Sequence, residues 1–430
     1  MEDSPQALIP FHKESGFLVP GYEMKLPCLK GSLILLLQAV LASAQVSAPK
    51  SLPSQVVFVD PRSFSVLGQN ATFRDSSFTL FNPSSTQPPF FQIFDPAFLT
   101  ILGPSPSLHE VASNATFAFA HEAPVYVPET DEVFFASNDG GALGNSDVDH
   151  NNQVGKISML EVEEALQGVG VSNEAVNVPI IKIDLPDTIQ MTNGGTGPFK
   201  SSLVFVTSGR GPLPPSIALV DPKNPENTTI LLDNFFGRQF NSLNDVKIHP
   251  KSGAFFFTDT ISAFLHQFRP PPLMPNQVYR LDPLTGAVRI VATDFDKCNG
   301  IAFSPDGEIA YIGDTGASGG FLGNNQTEPA TIFVYDVDSK TQAFLNRRIF
   351  AYADTGIPDG LEIDSEGNVY AGCGDGVHVW SPGGTLLGKF FVGSTSANMV
   401  FAGDGRLVIL AETKIFVAKI AAKASMVAFP

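Results

Sequence analysis

Four short polar groups recur along the chain, and each stands directly before an apolar stretch that is typical of a β-strand. The groups are His121-Glu122-Ala123-Pro124, Ser242-Leu243-Asn244-Asp245, Cys298-Asn299-Gly300 and Pro358-Asp359-Gly360. Each contributes one oxygen-bearing side chain: Glu122, Asn244, Asn299 and Asp359. Two carboxylates and two amide oxygens form a hard, all-oxygen ligand set, which suits Ca²⁺ with water or a substrate completing its shell. The pattern predicts a calcium site if the fold brings the four positions together.

The spacing of these four residues carries the prediction. Asn and Asp are common turn residues, and a lone Glu before a strand is usually solvated, so none of the four is informative alone. Their separations are 122, 55 and 60 residues. These separations correspond to about two, one and one units of a repeat.

The repeat consists of β-hairpins. In the first kind, two short apolar strands flank a tight turn of Pro, Asp, Ser or Gly, as residues 246–248 and 255–259 do around Pro250. A second kind lies between these hairpins, and examples are residues 216–222, 277–286, 332–338 and 377–384. Two hairpins make a four-stranded sheet, and the turn residues Pro250, Pro305 and Ser365 recur at the spacing given above. Such a repeat is typical of a β-propeller blade.

The predicted fold is therefore all-β, a six-bladed β-propeller with four-stranded blades, since residues 117–420 accommodate six units. Equivalent positions of successive blades surround one central channel, so the four candidate ligands should converge on its axis. Only Ile157–Leu166 has a helical pattern, and it predicts a short amphipathic insertion.

The N-terminal part of the chain has a different organisation. An apolar stretch, Leu33–Leu41, precedes Ala42-Ser43-Ala44, the small-x-small pattern of a signal-peptidase site. We expect residues 1–23 to be an extension created by the gene model, with translation starting at Met24, and residues 24–44 to be a signal peptide. Residues 45–116 are an N-terminal extension or a ring-closing segment, and residues 117–430 are the catalytic propeller domain. The protein is expected to be secreted.

Composition narrows the classes of partner. The net charge of −17 disfavours binding to nucleic acid and to anionic membranes, and no membrane partner is expected for the mature form. Glycosylation is expected at four sequons, Asn70, Asn114, Asn227 and Asn325. Cys28 lies in the signal peptide, which leaves Cys298 and Cys373, and their spacing does not decide whether they pair.

The same motifs resemble a known family. His121-Glu122-Ala123-Pro124, residues 243–246, residues 299–307 and residues 358–361 are similar to motifs of the gluconolactonase/senescence-marker-protein (regucalcin-like) superfamily of six-bladed propellers. The likeness is closest to the secreted fungal lactonohydrolases, which open aldonolactones and pantoyl lactone. The resemblance implies a Ca²⁺-dependent hydrolase of sugar-acid or hydroxy-acid lactones, with the metal held by Glu122, Asn244, Asn299 and Asp359.

The resemblance also bears on catalysis and substrate contacts. Ca²⁺ can polarise the lactone carbonyl, and Asp359 is the candidate general base, unless it serves only as a ligand. Animal members carry Arg-Pro before the first Asn, where Arg touches the substrate, whereas this chain has Ser242-Leu243. Its substrate contacts should therefore differ, and the candidates are Ser242, Arg238 and His150.

Two other functions fit the same residues. A phosphotriesterase-like hydrolase could use the same metal centre, and turnover of its substrate under calcium would reveal it. A non-catalytic propeller could serve as a binding scaffold, since fold alone does not determine function.

Overall fold

Short strands form most of the regular structure in the computed structural model, which describes residues 53–169, 174–403, 405–425 and Phe429. Residues 1–23, the expected signal peptide (residues 24–44) and Cys28 within it lie outside the described residues. No helix in the described part of the chain is long and apolar enough to span a membrane. Cys298 and Cys373 are both buried and unpaired.

Three strands precede the first hairpin of the repeat: β1 (Val56–Phe58), β2 (Phe90–Ile93) and β3 (Ser107–Ser113). The strands that follow form six sheets, which we call blades 1 to 6 in chain order. Blade 1 contains β4 (Glu122–Val127), β5 (Glu132–Ala136), β6 (Val154–Ser158) and β7 (Ile181–Ile183). Blade 2 contains β8 (Thr192–Phe199), β9 (Ser202–Thr207), β10 (Ile217–Val220) and β11 (Thr228–Leu232), and a small hairpin of β12 (Asn234–Phe235) and β13 (Arg238–Gln239) follows it.

The remaining blades repeat the same antiparallel order. Blade 3 contains β14 (Leu243–Ile248), β15 (Phe255–Asp259), β16 (Gln277–Leu281) and β17 (Val288–Ala292). Blade 4 contains β18 (Cys298–Phe303), β19 (Ile309–Asp314), β20 (Thr331–Val337) and β21 (Phe344–Tyr352). Blade 5 begins with β22 (Leu361–Ile363), β23 (Val369–Cys373), β24 (Gly376–Trp380) and β25 (Leu386–Phe391), and blade 6 with β26 (Asn398–Phe401), β27 (Arg406–Ala411) and β28 (Lys414–Lys419). The predicted six-bladed propeller is confirmed.

The strands before blade 1 pair with the last two blades. Strand β3 lies antiparallel to β28, with His109 opposite Val417, and so becomes the fourth strand of blade 6. Strand β2 lies antiparallel to β25, and β1 pairs with β2, which extends blade 5 to six strands. The ring is thus closed by a blade that is built from two distant parts of the chain.

Helices are few and short. The helical pattern at Ile157–Leu166 corresponds to α2 (Met159–Gln167), which starts at Ser158, whose hydroxyl accepts a hydrogen bond from the Glu161 amide at 3.3 Å. Two more helices, α1 (Phe98–Leu102) and α3 (Ser262–Leu265), have no helical pattern in the sequence because each spans little more than one turn. The expectation of a single helical stretch was therefore wrong.

Phenylalanine fills the space between neighbouring blades. Alternate residues of β15 face opposite sides of their sheet, so Phe255 and Phe257 pack toward blade 2 while Phe256 packs toward blade 4. The ring of Phe256 stacks on Phe344 at 5.5 Å, and that of Phe257 on Tyr279 at 5.3 Å. Because both faces of a blade are buried, its strands are continuously apolar, and the innermost strand is held firmly at the channel.

Candidate metal centre

The four predicted ligands occupy equivalent positions at the start of the inner strands. Glu122 begins β4, Asn244 and Asn299 are the second residues of β14 and β18, and Asp359 lies two residues before β22. In blades 1, 3 and 4 the pairing with the second strand skips two residues at this point, from Glu122 to Val125 in blade 1, for example. Such bulges bend a strand and re-aim its side chains. The bulges turn the oxygen-bearing side chains toward the channel.

Glycine after the ligand lets neighbouring inner strands approach closely. A Cβ atom on Gly300 would lie 2.2 Å from the carbonyl oxygen of Asp359, and one on Gly360 would lie 2.2 Å from the Asn398 side chain. Real Cβ atoms essentially never make such contacts. The Asn-Gly and Asp-Gly pairs therefore combine a ligand with the small residue that allows the next blade to come near.

The four side chains line one cavity of about 250 Å³ at this end of the channel. One side-chain ligand atom from each of His121, Glu122 and Asp359 lies within 4.8 Å of the other two. Glu122 is 3% exposed, Asn244 5% and Asn299 9%. The structure thus brings together all four residues that the sequence singled out.

Three oxygens of this set have no hydrogen-bond partner. The Oδ1 atoms of Asn244, Asn299 and Asp359 are buried and unpaired in the described part of the chain. A buried polar atom without a partner costs about 1–3 kcal/mol, and native structures contain few of them. Three such oxygens beside the Glu122 carboxylate match the requirement of a hard divalent cation for converging oxygen ligands. The residues present therefore fit a bound cation.

The electrostatics of the cavity also favour a bound cation. Burial, reinforced by the neighbouring Asp359 carboxyl, raises the pKa of Glu122 well above its usual range. Burial also raises the pKa of Asp359 to about 7, although His121 and a hydrogen bond from Asn299 oppose this shift. Two carboxylates confined in one dry cavity repel each other, and a cation between them would remove that penalty.

His121 belongs to the rim of the centre. Its Nδ1 lies 2.7 Å from Oε1 of Glu412, a residue of blade 6, and the Asn138 amide donates to Oε2 of Glu412 at 2.9 Å. Burial disfavours the charged imidazolium, but the carboxylates of Glu412, Glu122 and Asp359 outweigh it and raise the pKa of His121 to about 10. His121 therefore forms an ion pair with blade 6 at the rim of the cavity.

Sequence reasoning missed two amides at the same level of the channel. Asn398, from blade 6, donates to Oε2 of Glu122 at 2.7 Å, which fixes the orientation of that carboxylate. Asn193, from blade 2, donates from Nδ2 to Ser208 Oγ at 3.1 Å and lines the cavity. Asn193 precedes a glycine as Asn299 does, so this signal was available, whereas Asn398 precedes Met399 and gives none.

The three predicted substrate contacts do not line the cavity. Ser242 is fully buried, and its hydroxyl pairs with that of Ser262 at 3.2 Å. Arg238 is exposed on β13 and donates to the Leu273 carbonyl oxygen. His150 is exposed, with Nδ1 2.8 Å from Asp147 Oδ1, and lines a separate shallow depression.

Hydroxyl and amide side chains form part of the remaining cavity wall. Thr260 and Thr315 each follow the second strand of their blade, and the Thr260 hydroxyl is buried without a partner. Leu265 and Ile357 are the large apolar side chains among the described lining residues. The cavity can therefore offer both hydrogen bonds and apolar contact to a small molecule.

Comparisons with known proteins agree with this architecture. The family model described as the SMP-30/gluconolactonase/LRE-like region matches residues 121–412. Lactonohydrolase oryL of Aspergillus oryzae is 26% identical over 411 residues, which cover 91% of this chain and 82% of that protein. Lactonohydrolase oryH of the same organism is 27% identical over 367 residues, which cover 70% of this chain and 74% of that protein.

A solved structure supports the fold independently. The gluconolactonase of Xanthomonas campestris superposes with a TM-score of 0.57 at 22% sequence identity, covering 77% of this chain and 94% of that one. The family match runs from His121 to Glu412, which form an ion pair between blades 1 and 6, and it includes all four candidate ligands. The resemblance noted in the sequence is confirmed, and the chain belongs to the SMP-30/gluconolactonase/LRE-like family.

Proposed function

We propose that the protein is a calcium-dependent lactonase that opens the ring of polyhydroxylated sugar-acid lactones. The observation that carries this proposal is the set of unpaired buried oxygens of Asn244, Asn299 and Asp359 beside the Glu122 carboxylate. Calcium prefers several neutral and anionic oxygens in a flexible arrangement, whereas Mg²⁺ retains most of its water. The names of the lactonohydrolase and gluconolactonase relatives support the choice of a lactone as substrate.

The cavity wall supports a sugar-acid lactone over one of the pantoyl-lactone type. A polyhydroxylated ring needs several hydrogen-bond partners, and the cavity offers the hydroxyls of Thr260, Thr315 and Ser318, of which that of Thr260 is buried without a partner. A pantoyl lactone carries two methyl groups on its ring, and these would leave such polar groups desolvated and unpaired.

In this proposal Glu122, Asn244, Asn299 and Asp359 hold the cation. A calcium ion bound there supplies Lewis acidity toward the carbonyl oxygen of the lactone. Asn398 orients Glu122 through its hydrogen bond, and the bulges of blades 1, 3 and 4 aim Glu122, Asn244 and Asn299 at the channel. Asp359 is assigned to holding the cation, since its unpaired Oδ1 lies with those of the two amides.

We also propose that the protein is secreted and glycosylated. The side chains of Asn70, Asn114, Asn227 and Asn325 are all exposed, so each sequon is accessible to a glycosyltransferase. Expression in a eukaryotic secretory host should give protein in the medium whose mass falls after treatment with a peptide N-glycosidase. Retention of all product inside the cells would contradict the proposal.

The activity can be tested with a panel of lactones in a pH-stat, because ring opening releases one proton per turnover at neutral pH. We expect hydrolysis of gluconolactone-type substrates, loss of activity with a chelator, and recovery on adding Ca²⁺. Glu122→Gln serves as a matched inactive control. Preference for pantoyl lactone would contradict the proposed substrate class.

The same assay separates the other two functions. Turnover of a phosphotriester, but of no lactone, under Ca²⁺ would favour the phosphotriesterase alternative. Tight binding of an aldonic acid without turnover of any substrate would favour a binding scaffold.

A further inference from the structure

We propose that His266 is the general base of the reaction, with its Nε2 taking a proton from the water that attacks the lactone. This inference rests on the proposed lactonase function. His266 follows α3 in the loop between β15 and β16 of blade 3, and its ring lines the same cavity as the four candidate ligands. The sequence offers no motif for it.

The hydrogen bonds of the ring define its tautomer. Nδ1 of His266 lies 3.0 Å from the carbonyl oxygen of Asp139, a residue of the loop after β5 in blade 1. A carbonyl oxygen can only accept, so Nδ1 carries the proton and Nε2 holds the free lone pair. Nε2 has no hydrogen-bond partner among the described residues. A neutral imidazole held in this way is ready to accept a proton.

The surroundings hold the ring in place. Gly140 has a φ of 84°, and a Cβ atom there would lie 2.8 Å from Cβ of His266, so the two loops meet closely. The carboxylate of Asp139 accepts from Asn193 Nδ2 at 3.3 Å and from Ser208 Oγ at 3.1 Å. The backbone amide of His266 donates to the Ser262 carbonyl oxygen at 2.8 Å. The imidazole is therefore held in place both by the loop after β5 and by its own loop between β15 and β16.

The other basic groups of the cavity are engaged elsewhere. His121 is paired with Glu412, with its Nδ1 2.7 Å from Oε1 of that carboxylate. Asp359 directs its free oxygen to the cation site. Lys297, which also lines the cavity, forms an ion pair with Asp296. Together with the Asp139 carboxyl, these are the titratable groups that face His266 across the cavity.

The proposed step balances. The oxygen of water forms a bond to the carbonyl carbon of the lactone while its proton moves to Nε2 of His266. Collapse of the tetrahedral intermediate breaks the bond between that carbon and the ring oxygen, and the imidazolium returns the proton to the leaving alkoxide. The product is a hydroxy acid, which releases its own proton to solvent.

Two substitutions test the role of the ring. In His266→Asn the side-chain amide can still donate to the Asp139 carbonyl oxygen, as Nδ1–H does, but the basic nitrogen is gone. In His266→Gln an amide group reaches the position of Nε2 without its basicity. Gln267→Asn is the matched control, since Gln267 is exposed and its φ of 67° is tolerated by Asn.

We expect both His266 variants to lose about 100-fold or more in kcat at saturating Ca²⁺, with KM changed little. Calcium affinity by calorimetry and the thermal unfolding midpoint should match those of Gln267→Asn. Added imidazole should restore part of the rate to His266→Asn, because it supplies the missing basic nitrogen, and it should not change the rate of Gln267→Asn.

The outcomes distinguish the two proposals. If the wild type hydrolyses no lactone, the proposed function fails. If the wild type is active and His266→Asn keeps its kcat, only the assignment of His266 is overturned. A parallel loss of calcium affinity would likewise overturn it, because the role of His266 would then be structural.

Discussion

Glu122 and Asp359 place two carboxyl groups in a cavity that water can hardly solvate, and each therefore holds a proton more tightly than in the unfolded chain. The folded protein without a cation binds more protons than the unfolded one between the ordinary pKa of Asp, 3.8, and the raised value of about 7. Its stability consequently falls as the pH rises through this window. A bound cation reverses the effect, because it competes with those protons for the same oxygens.

The first prediction concerns the stabilisation by Ca²⁺ at different pH. The increase in the unfolding midpoint on adding excess Ca²⁺ should be larger at pH 8 than at pH 5, where Glu122 and Asp359 are still protonated. At 100 times the dissociation constant, about 2.7 kcal/mol is expected at the higher pH. Differential scanning calorimetry of the calcium-loaded and the chelated protein measures this increase in the unfolding midpoint. Equal increases at both pH values would contradict the proposed metal centre.

A second prediction isolates one ligand. Glu122→Gln retains an oxygen that can accept from Asn398 but loses the charge. Calcium affinity should fall by about 100-fold, while the chelated variant should be at least as stable as the chelated wild type because the repulsion with Asp359 is gone. Titration calorimetry measures the calcium affinity, and thermal unfolding measures the stability of the chelated proteins. An unchanged calcium affinity would show that Glu122 is not a ligand.

At the scale of single residues, the ligands whose positions recur with the blade repeat could be predicted from the sequence. Glu122, Asn244, Asn299 and Asp359 could be found because each starts an inner strand at blade spacing. His266 could not, since it lies on a loop of blade 3 that has no counterpart in the repeat and reaches Asp139 only through the fold. Ser242 and Arg238 were chosen because they shortly precede Asn244 in the sequence, and His150 because it lies in a polar loop, but none of the three lines the cavity.

At the scale of the element, the bulged inner strand is the unit that builds the site. In blade 4 it leaves two residues outside the regular pairing: Asn299, which carries the ligand, and Gly300, which must be small. Gly300 has an ordinary φ, so the close approach of Asp359 and Leu361, and not backbone strain, restricts the side chain at this position.

Gly300→Ala provides the third prediction. The added methyl group would force blades 4 and 5 apart at the channel, which should cost about 1–3 kcal/mol of stability and weaken calcium binding. Gly383→Ala is the control, because this exposed turn glycine also has an ordinary φ and its Cβ would meet nothing closer than 3.8 Å. Chemical denaturation and calorimetry of both variants measure the difference, and equal stability would show that the blades have room.

Hairpins were the most predictable elements, since their turns contain Pro and Gly with defined backbone requirements. The strands on either side of Pro250 and Pro305 lie where the pattern placed them. The helices α1 and α3 were missed because one turn of helix carries no periodicity.

At the scale of the whole molecule, a buried ionic cluster ties the N-terminal segment to blade 5. Lys389 and Asp375 are fully buried, and Lys389 Nζ lies 3.0 Å from Asp375 Oδ2 and 2.8 Å from Asp354 Oδ1. Arg74, from the segment between β1 and β2, pairs with Asp354 at 3.3 Å. Burial opposes ionisation of Asp375, but His378 and Lys389 outweigh it and lower the pKa of that carboxyl.

The fourth prediction is that Lys389→Met destabilises the protein by about 3–5 kcal/mol at pH 7, because it leaves Asp375 and Asp354 short of a buried partner. The loss should shrink toward pH 4, where a carboxyl freed from Lys389 can take up a proton. Lys251→Met is the matched control, since Lys251 forms an exposed pair with Glu308 and should contribute at most about 1 kcal/mol. Equal effects of the two substitutions in urea denaturation would contradict this account.

The sequence left two alternatives open for residues 45–116 because the strands in this segment have no repeat of their own. Strands β2 and β3 acquire their partners from residues about 300 positions further along, and no local pattern reports such pairing. The number of blades was predictable from periodicity, whereas the strand that completes the last blade was not.

The pairing of β3 with β28 also constrains biosynthesis. A ribosome releases Ser107–Ser113 long before it has made Lys414–Lys419, so the nascent chain carries an unpaired strand edge while most blades are already synthesised. Closing so long a loop costs little more entropy than closing a shorter one, but it requires both β3 and β28. Ring closure, and with it the docking of Asn398 on Glu122, therefore waits until blade 6 has been synthesised.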